Sequence, residues 1–449
     1  MLIRKMKHST AIVVLAAIGV VLFSSCRKEP LENHGNPNNL ICKSYLSQFE
    51  AVWAGMDQSY VFWDRDTVDW DARYDEYRPI FEAFDARPAN NPVTQAEYWE
   101  AYTGLFSGLL DHHLSGRFYA AKGLPRGACE AFVAPGTNDY YHSISNAEAR
   151  RLQLRALRKK AIAGTMLESE PIDEYNIPGS YFCLLKGSNE GELIAYFRFT
   201  NFFMVQMHQI YEYSGSVVPG SISAQAPAKA FYGPLYHTGI TTGAGYANND
   251  SVVGIIIDVR GNGGGSVADL EPLIGSLAQS PTLVGYTRVK EGYGRLDYSA
   301  WSESVVGCPA NHLNKPKPIV VLADVTSVSC AELATMLIKA LPNGTFIGER
   351  TYGAIGGLYS GNATNIYHDL FYDGCFGDYE YFENGPDPYK DIFSYYVYTS
   401  TFHMVDNQYG DVEGVGVQPD IEVRFNRDLL DKGTDNQLER AIRFIRVGH

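Results

Sequence analysis

The segment from Pro318 to Gly357 constrains the fold of this 449-residue chain more than any other. It begins with an apolar run, PIVVLAD, passes through a turn rich in Ser and Thr, and ends in a glycine turn. A short and uniformly apolar run is typical of a strand buried in a parallel sheet. The turn predicts that Ser329 begins a helix over 330–341, where unpaired N–H groups favour negative charge. That position suits a nucleophile and its oxyanion, although serine is also favoured as a simple helix cap.

Strand and helix patterns alternate through the second half of the chain. LIAYFRFTNF, SVVGIIIDVR, PIVVLAD and TFIG have the composition of strands, and VADLEPLIGSLAQS predicts a helix with Leu270, Ile274 and Leu277 facing inward. Alternation of this kind predicts an α/β core, which we assign to 191–449.

The first half of the chain has a different pattern. Residues 41–116 carry apolar side chains at helical spacing, and Thr94 with Glu97 predicts a capping box for a helix running through Leu110. These features predict an N-terminal helical domain. The segment 117–190 shows no clear ladder of strands, so we leave it as an intermediate segment that could be a degenerate PDZ-like region. It includes a basic helix after Asn146, for which we expect a solvated face.

The start of the chain is typical of an export signal. Three basic residues precede an apolar run from Ala11 to Phe23, which is too short for a comfortable transmembrane helix. The ending LFSSC resembles a bacterial lipobox, which implies removal of residues 1–25 and lipid attachment to Cys26. Residues 26–40 are polar and predict a flexible tether. We therefore expect a chain in the bacterial cell envelope that reaches the membrane only through its lipid anchor, either in the periplasm or at the cell surface.

The charge and the cysteines exclude several classes of function. The formal net charge is −14, and removal of the basic leader makes it more negative, so we expect no nucleic-acid partner. The seven cysteines are widely spaced without a CxxC pair, which argues against a zinc site. We expect no metal and no organic cofactor. One or two disulfides are allowed, and neither their pairing nor the oligomeric state can be read from the sequence.

Three further motifs could accompany Ser329. The run DVRGNGGG, 258–265, follows an apolar strand, and its consecutive glycines allow close backbone approach and N–H groups aimed at an anion. It lacks the lysine and spacing of a phosphate loop, and it could also be an ordinary turn. LLDHHLSG contains Asp111, His112 and His113, and a histidine is the usual general base near neutral pH. DVEGVGVQPDIEV contains Glu413, a candidate to orient that base.

Together these motifs resemble the C-terminal processing peptidases and the tricorn-core peptidases. The matching residues are IIIDVRGNGGG, Ser329-Cys330-Ala331-Glu332, the run GERTYG at 348–353, and GVQPD at 416–420 with a later Val. The resemblance covers about residues 190–425. It implies a ClpP/crotonase-like ββα core and serine acyl chemistry on the bonds of peptide or protein substrates.

The resemblance also implies roles for individual residues. Ser329 matches the nucleophile, and His113 matches the histidine of the tricorn-like branch. Glu413 lies near the orienting carboxylate of that branch. The backbone N–H of Cys330, with that of Gly263 or Gly264, matches the oxyanion hole. The processing branch has a lysine where this chain has Ala354, so a Ser-Lys pair is not expected.

We therefore predict a lipid-anchored serine endopeptidase that acts through an acyl-enzyme on Ser329. Two alternatives remain open at this point. The first is a degenerate peptidase fold that binds a peptide or an apolar ligand. The second is a surface lipoprotein that binds glycans, suggested by the anchor and the 31 tyrosines.

Overall fold

The structure is a computed structural model. It describes residues 42–120, 130–133, 145–169, 179–204, 235, 239–241, 247–291, 294–357, 375–377, 393–408 and 410–448. The predicted leader, Cys26 and the predicted tether lie outside the described residues. None of the helices within the described ranges has the length and hydrophobicity needed to cross a membrane. Among the described residues, Cys183, Cys308 and Cys330 are free thiols.

Seven α-helices are described. In chain order they are α1 (Tyr45–Ser59), α2 (Trp70–Asp85), α3 (Gln95–Phe106), α4 (Asn146–Arg158), α5 (Cys330–Ala340), α6 (Arg427–Asp431) and α7 (Asn436–Val447).

Fourteen strands are described. They are β1 (Ser115–Ala120), β2 (Glu130–Val133), β3 (Leu167–Glu168), β4 (Ser180–Lys186), β5 (Leu193–Phe199), β6 (Val252–Asp258), β7 (Thr282–Val289), β8 (Ser302–Val306), β9 (Ile319–Ala323), β10 (Gly344–Gly348), β11 (Cys375–Gly377), β12 (Phe393–Tyr398), β13 (Phe402–Asp406) and β14 (Ile421–Glu422).

A seven-stranded sheet forms the centre of the molecule, in the order β14-β10-β9-β6-β5-β4-β3. The strands from β14 to β5 are parallel, and β4 and β3 are antiparallel to their neighbours. Helix α5 packs on one face of the sheet, and α4 and α7 pack on the other. The carboxyl ends of parallel strands meet at one edge, which is where α/β proteins place their sites. The predicted α/β core is therefore confirmed.

The predicted N-terminal helical region is confirmed, and its helices pack around an aromatic core. Helices α1 to α3 bury rings from Tyr, Phe and Trp together with side chains of β1 and β12. Thr94 and Glu97 form the predicted capping box. The helix ends at Phe106 and not at Leu110, because Gly108 takes a left-handed conformation with φ of 84°.

The strands of the intermediate segment join two different sheets. Strands β1 and β2 belong to a four-stranded sheet, in the order β11-β12-β1-β2, that covers the helical domain. Strands β3 and β4 extend the central sheet. A third sheet has the order β13-β7-β8.

The stretch Val267–Leu277 is not the regular helix that its pattern predicts. It consists of two 3-10 turns on either side of a π turn, although Leu270, Ile274 and Leu277 are buried as expected. Pro272 lies inside this stretch and has no N–H to donate to the preceding turn, which explains the irregular path.

Candidate active site

Ser329 stands between β9 and α5 in an unusual backbone conformation. Its φ is 57° and its ψ is −119°, and it is the only non-glycine residue with positive φ in the described part of the chain. Such a conformation costs on the order of 1–3 kcal/mol and persists only where the surroundings enforce it. The side chain is partly exposed. The N–H of Glu332, at the third position of α5, donates to the backbone carbonyl of Ser329 at 2.9 Å.

Glu332 enforces this conformation from inside the protein. Its Oε2 accepts hydrogen bonds from the N–H of Ser329 at 3.0 Å and of Ala354 at 2.8 Å. Its Oε1 accepts from Thr351 Oγ1 at 2.5 Å and from the N–H of Gly353 at 2.7 Å. Burial raises the pKa of Glu332 to about 6, against the effect of these four donors. The carbonyl of Ala354 also accepts from the N–H of Ser329, at 3.0 Å. Ala354, which occupies the position of the lysine in the processing branch, therefore helps to hold the Ser329 turn in place.

The glycine loop that follows β6 lies directly against Ser329. A Cβ on Gly264 would lie 2.7 Å from the Cβ of Ser329, so only glycine fits there. Asn262 fixes the loop, because its Oδ1 accepts from the N–H of Gly264 at 2.8 Å and its carbonyl accepts from the N–H of Val328 at 2.9 Å.

Two backbone N–H groups beside the hydroxyl remain available. Within the described residues, no acceptor is present for the N–H of Cys330 or of Gly263. A Cβ on Gly263 would meet nothing within 4 Å, so this residue faces open space. The N–H of Gly264 is already donated to Asn262, which leaves Gly263 as the better partner for Cys330 in an oxyanion hole.

A buried ionic network supports the base of the glycine loop. Arg260 donates to Asp258, in the sequence DVR, and to Asp435 at the start of α7. Arg198 on β5 donates to Asp258 as well, at 3.2 Å. All four side chains are at most 3% exposed. Burial would raise the pKa of Asp258, but the two arginines outweigh it and hold the pKa at about 2.

Asp111 holds the segment that carries the two histidines. Its Oδ2 accepts from Thr399 Oγ1 at 2.8 Å and from the N–H of Ser400 at 2.7 Å. Its Oδ1 accepts from Ser400 Oγ at 3.0 Å and from the N–H of His113 at 2.8 Å. A fully buried carboxylate with four donors fixes the backbone of His113 against the turn after β12.

Glu413 connects the histidine segment with the loop that supports Ser329. Its Oε1 accepts from the N–H of His112 at 2.8 Å, and its Oε2 accepts from Ile355 and Gly356 at 2.9 and 2.7 Å. Burial, with a smaller contribution from the charge of Asp111, raises the pKa of Glu413 well above its usual range.

The ring of His113 lies close to both carboxylates. A nitrogen of His113 and one oxygen each of Asp111 and Glu413 lie within 4.8 Å of one another. Nδ1 of His113 is buried and has no hydrogen-bond partner among the described residues, and burial lowers the pKa of this imidazole. The ring therefore favours the neutral form that a general base requires. In this arrangement no hydrogen bond joins the His113 ring to Ser329 or Glu413.

The same cluster is a poor fit for a metal ion. The carboxylate oxygens of Asp111 and Glu413 are engaged by seven N–H and O–H donors in total. A metal would have to compete with these donors for every oxygen ligand.

The structure thus brings Ser329, Cys330, Gly263 and Gly264 into one contact group and His113 with Glu413 into another. The backbone of 353–356 joins the two groups. Sequence reasoning did not assign roles to Asp111, Asn262 or Glu332, which fix the backbone of these groups. Asn262 and Glu332 both lie inside motifs that the sequence analysis singled out, and their position there was the available signal.

Comparison with known proteins supports the resemblance. Residues 240–423 match the family model described as Peptidase family S41. No curated protein sequence matches the chain.

Solved structures show the same fold. A candidate peptidase from Parabacteroides merdae ATCC 43184 has a TM-score of 0.55 at 19% identity, with 91% of this chain and 98% of that chain covered. Mature CPAF has a TM-score of 0.53 at 12% identity, with 91% and 97% covered. The complex of mature CPAF with lactacystin has a TM-score of 0.52 at 12% identity, with 91% and 98% covered. The family match and the shared fold confirm the predicted resemblance and the predicted α/β core.

Proposed function

Because residues 240–423 belong to peptidase family S41, we propose that this protein is a serine endopeptidase with Ser329 as its nucleophile. One observation carries the proposal: the strained, partly exposed Ser329 packs against a glycine loop beside two unbonded N–H groups. A helix N-terminus with two such donors is the arrangement that stabilises an oxyanion, and one donor is worth about 3 kcal/mol.

In the proposed reaction, His113 takes the proton of Ser329 as Oγ attacks the carbonyl carbon of the scissile peptide bond. The N–H groups of Cys330 and Gly263 bind the oxyanion. The C–N bond then breaks, and the imidazolium gives its proton to the leaving amine. Water, deprotonated by His113, hydrolyses the ester and restores Ser329. Glu413 holds the histidine segment through its hydrogen bond with the N–H of His112.

The His113 ring must move to reach Ser329 Oγ, since no hydrogen bond joins them here. Catalytic hydrogen bonds often tighten only when substrate binds. The same observation favours the second candidate function, a degenerate peptidase fold that binds peptide without cleaving it.

Labelling with a fluorophosphonate probe separates these two functions. An active enzyme incorporates the probe, and Ser329→Ala abolishes incorporation while leaving thermal unfolding nearly unchanged. Ser302→Ala, which changes an exposed serine on β8, is the matched control and retains full labelling. If the folded wild-type protein stays unlabelled, or Ser329→Ala still labels, the peptidase proposal is wrong.

We also propose that the mature chain is attached to a membrane of the bacterial envelope through lipid on Cys26. The support is the leader sequence with its lipobox-like ending. Metabolic labelling with an alkyne fatty acid should mark the wild-type protein. Cys26→Ser should lose the mark, and retention of the mark would contradict the proposal.

A further inference from the structure

Five side chains outside the candidate site form a closed cycle of hydrogen bonds and ion pairs. Arg288 on β7 donates through Nη2 to Asp64 Oδ1 and to Nδ1 of His403 on β13, the latter at 3.3 Å. Nε2 of His403 lies 3.1 Å from Asp411 Oδ1. The other oxygen of Asp411 lies 3.3 Å from Arg65 Nη1, and Arg65 Nε lies 3.7 Å from Asp64 Oδ2. We refer to these five side chains as the His403 cluster.

His403 is the most deeply buried member of the cluster, and its neighbours fix its tautomer. The residue is 0% exposed and contacts the rings of Phe62 and Trp301, at centroid distances of 5.0 and 5.2 Å. A guanidinium only donates, so Nδ1 of His403 must accept the hydrogen bond from Arg288. Nε2 therefore carries the hydrogen and donates it to Asp411. Only the neutral imidazole can make both bonds.

The neutral imidazole also balances the charge of the cluster, in which two guanidiniums face two carboxylates. An imidazolium would add a third positive charge and direct a second N–H against Arg288. Burial and the charge of Arg288, with a smaller effect of Arg65, lower the pKa of His403 to about 4, although Asp411 acts in the opposite direction. Two more ionisable side chains pack on this side of the cluster, Tyr298 against Arg288 and Lys290 against Tyr298.

The chain segments that meet in the His403 cluster are also the segments that hold residues 110–113. Each of the three carries, one to three positions from its member of the cluster, a group that is hydrogen-bonded to this histidine segment. The pairs are Asp66 Oδ2 with the N–H of Leu110 at 2.8 Å, Asp111 Oδ2 with the N–H of Ser400 at 2.7 Å, and Glu413 Oε1 with the N–H of His112 at 2.8 Å. The cluster therefore fixes the three supports of the histidine segment relative to one another.

We propose that His403 is a positioning residue for the general base: its neutral imidazole closes the cluster and so holds the backbone of His113 in place for the reaction. This inference rests on the proposed peptidase function and adds a means of control to it. Protonation of His403 replaces the hydrogen bond from Arg288 with a contact between two donors, which opens the cluster and loosens the three supports. Acid should therefore slow the proposed reaction reversibly, before the protein unfolds.

The direction of this effect follows from the lowered pKa of His403. The unfolded protein, in which the imidazole has a pKa of 6.5, binds the proton more tightly than the folded protein does. The contribution of His403 to stability is therefore complete above pH 6.5 and is lost as the pH falls to about 4. Local opening of the cluster lets His403 take up its proton within the same range.

The first test compares two replacements of His403 in the full-length chain. Gln can accept from Arg288 through its carbonyl and donate to Asp411 through its amide, but it cannot take up a proton, whereas Phe keeps the ring and makes neither bond. Fluorophosphonate labelling over a range of probe concentrations separates the maximal labelling rate from the affinity for the probe. At neutral pH we expect His403→Phe to lower the maximal rate by about tenfold and to leave the affinity unchanged, since small displacements of a catalytic group are costly. His403→Gln should restore most of the maximal rate, and equal rates in the two variants would contradict the inference.

The pH profile of labelling is a readout that a merely structural role of His403 would not change. In the wild-type protein, acid removes activity by protonating both His113 and His403. In His403→Gln only His113 remains of these two groups, so its labelling rate should fall less steeply as the pH is lowered from 6.5 to about 4. Superimposable profiles for the two proteins would overturn the inference.

A second pair of variants keeps the test decisive if His403→Phe does not fold. Arg65→Gln opens the cluster at a side chain that is 39% exposed, so we expect labelling to slow by about two- to threefold with little effect on folding. Arg295→Gln is the matched control, because Arg295 also joins the helical domain to the segment after β7, through Asp57 and Asp71, but lies outside the cluster. Equal labelling rates in Arg65→Gln and Arg295→Gln would contradict the inference.

Hydrogen exchange separates this inference from the proposed function, because it does not depend on labelling. The N–H groups of the two histidines are bonded to buried carboxylates, so a peptide covering residues 109–115 should exchange about tenfold faster in His403→Phe, or in Arg65→Gln if that variant alone folds. Arg295→Gln should exchange like the wild-type protein. If the wild-type protein is never labelled but this difference is found, the peptidase function fails and the positioning role of His403 stands. Equal exchange in all of these proteins would overturn the inference.

Discussion

Two groups of buried carboxylates support the candidate site, one beneath the glycine loop and one around Ser329 and His113, and they are stabilised in opposite ways. Asp258 and Asp435 are paired with Arg198 and Arg260, and the pKa of Asp258 is held at about 2. Glu332 receives only neutral donors, and its pKa is raised to about 6. Glu413 likewise receives only backbone N–H groups, and its pKa is raised well above the usual range. Asp258 therefore stays ionised near neutral pH, whereas burial without a counterion raises the pKa of Glu332 and of Glu413 and favours their protonated forms.

This difference assigns separate tasks to the two groups. An ion pair in the interior is costly to break because one charge is left alone, so Asp258 and Arg260 fix the fold beneath the loop. A carboxylate held by backbone N–H groups fixes the path of the chain atom by atom and needs no cation to do so. Uncompensated buried carboxylates with perturbed pKa values are typical of functional sites.

The largest expected effect is on folding, from breaking the ion-paired group. Arg260→Met leaves Asp258 and Asp435 short of donors in a dry interior, and we expect a loss of about 3–5 kcal/mol in the free energy of unfolding. Urea denaturation followed by circular dichroism measures it. Arg424→Met, which breaks an exposed pair with Glu422, is the control and should cost far less. Equal losses in both variants would show that the buried network stabilises the fold no more than an exposed ion pair does.

The second prediction concerns the group without counterions. Glu332→Gln keeps the volume but cannot accept four hydrogen bonds in the same geometry, so the Ser329 turn should relax. We expect fluorophosphonate labelling to slow by about tenfold or more, since small displacements of a nucleophile are costly. Stability should fall by about 1–3 kcal/mol. Glu303→Gln, an exposed change on β8, should leave both quantities unaltered. If Glu332→Gln were labelled at the normal rate, Glu332 would not be needed to hold the Ser329 turn in place.

The smallest expected effect is a difference in the pH dependence of stability. The raised pKa of Glu332 means that the folded state binds its proton more tightly than the unfolded state, so its contribution is lost as pH rises from 4.5 to about 6. Over that range the stability of the wild-type protein should fall relative to Glu332→Gln, by about 2 kcal/mol. Asp258 acts in the opposite sense, because its contribution is present above 3.8 and is lost as pH falls toward about 2.

Chemical denaturation of the wild-type protein and Glu332→Gln at intervals between pH 3 and pH 8 measures this difference. Parallel curves for the two proteins between pH 4.5 and pH 6 would contradict the contrast between the carboxylate groups.

The part of the site around Ser329 could be predicted from the sequence because each of its elements is marked by a short local pattern. Ser329, the start of α5 and the glycine loop each follow an apolar strand, and parallel strands bring their carboxyl ends together. The capping box of Thr94 could be predicted for the same reason, since it involves residues only three positions apart.

The remaining features depend on contacts that no local pattern encodes. Glu413 meets the N–H of His112 across 301 positions, and Asp111 meets Ser400 across 289. The basic helix α4 illustrates the same limit. Its charges predicted a solvated face, and only the packing against β4, β5 and Gly261 shows that Arg150 differs from its neighbours.

The short stretch from Gly353 to Gly356 has a consequence for how the candidate site could be controlled. Gly353 and Ala354 are bonded to the glutamate beneath the serine, and Ile355 and Gly356 to the glutamate beside the histidines. Four successive amide groups thus connect both halves of the candidate site to one segment of main chain. Neither half can shift far alone, so a ligand or a proline that bent this segment would displace Ser329 and the histidine segment together.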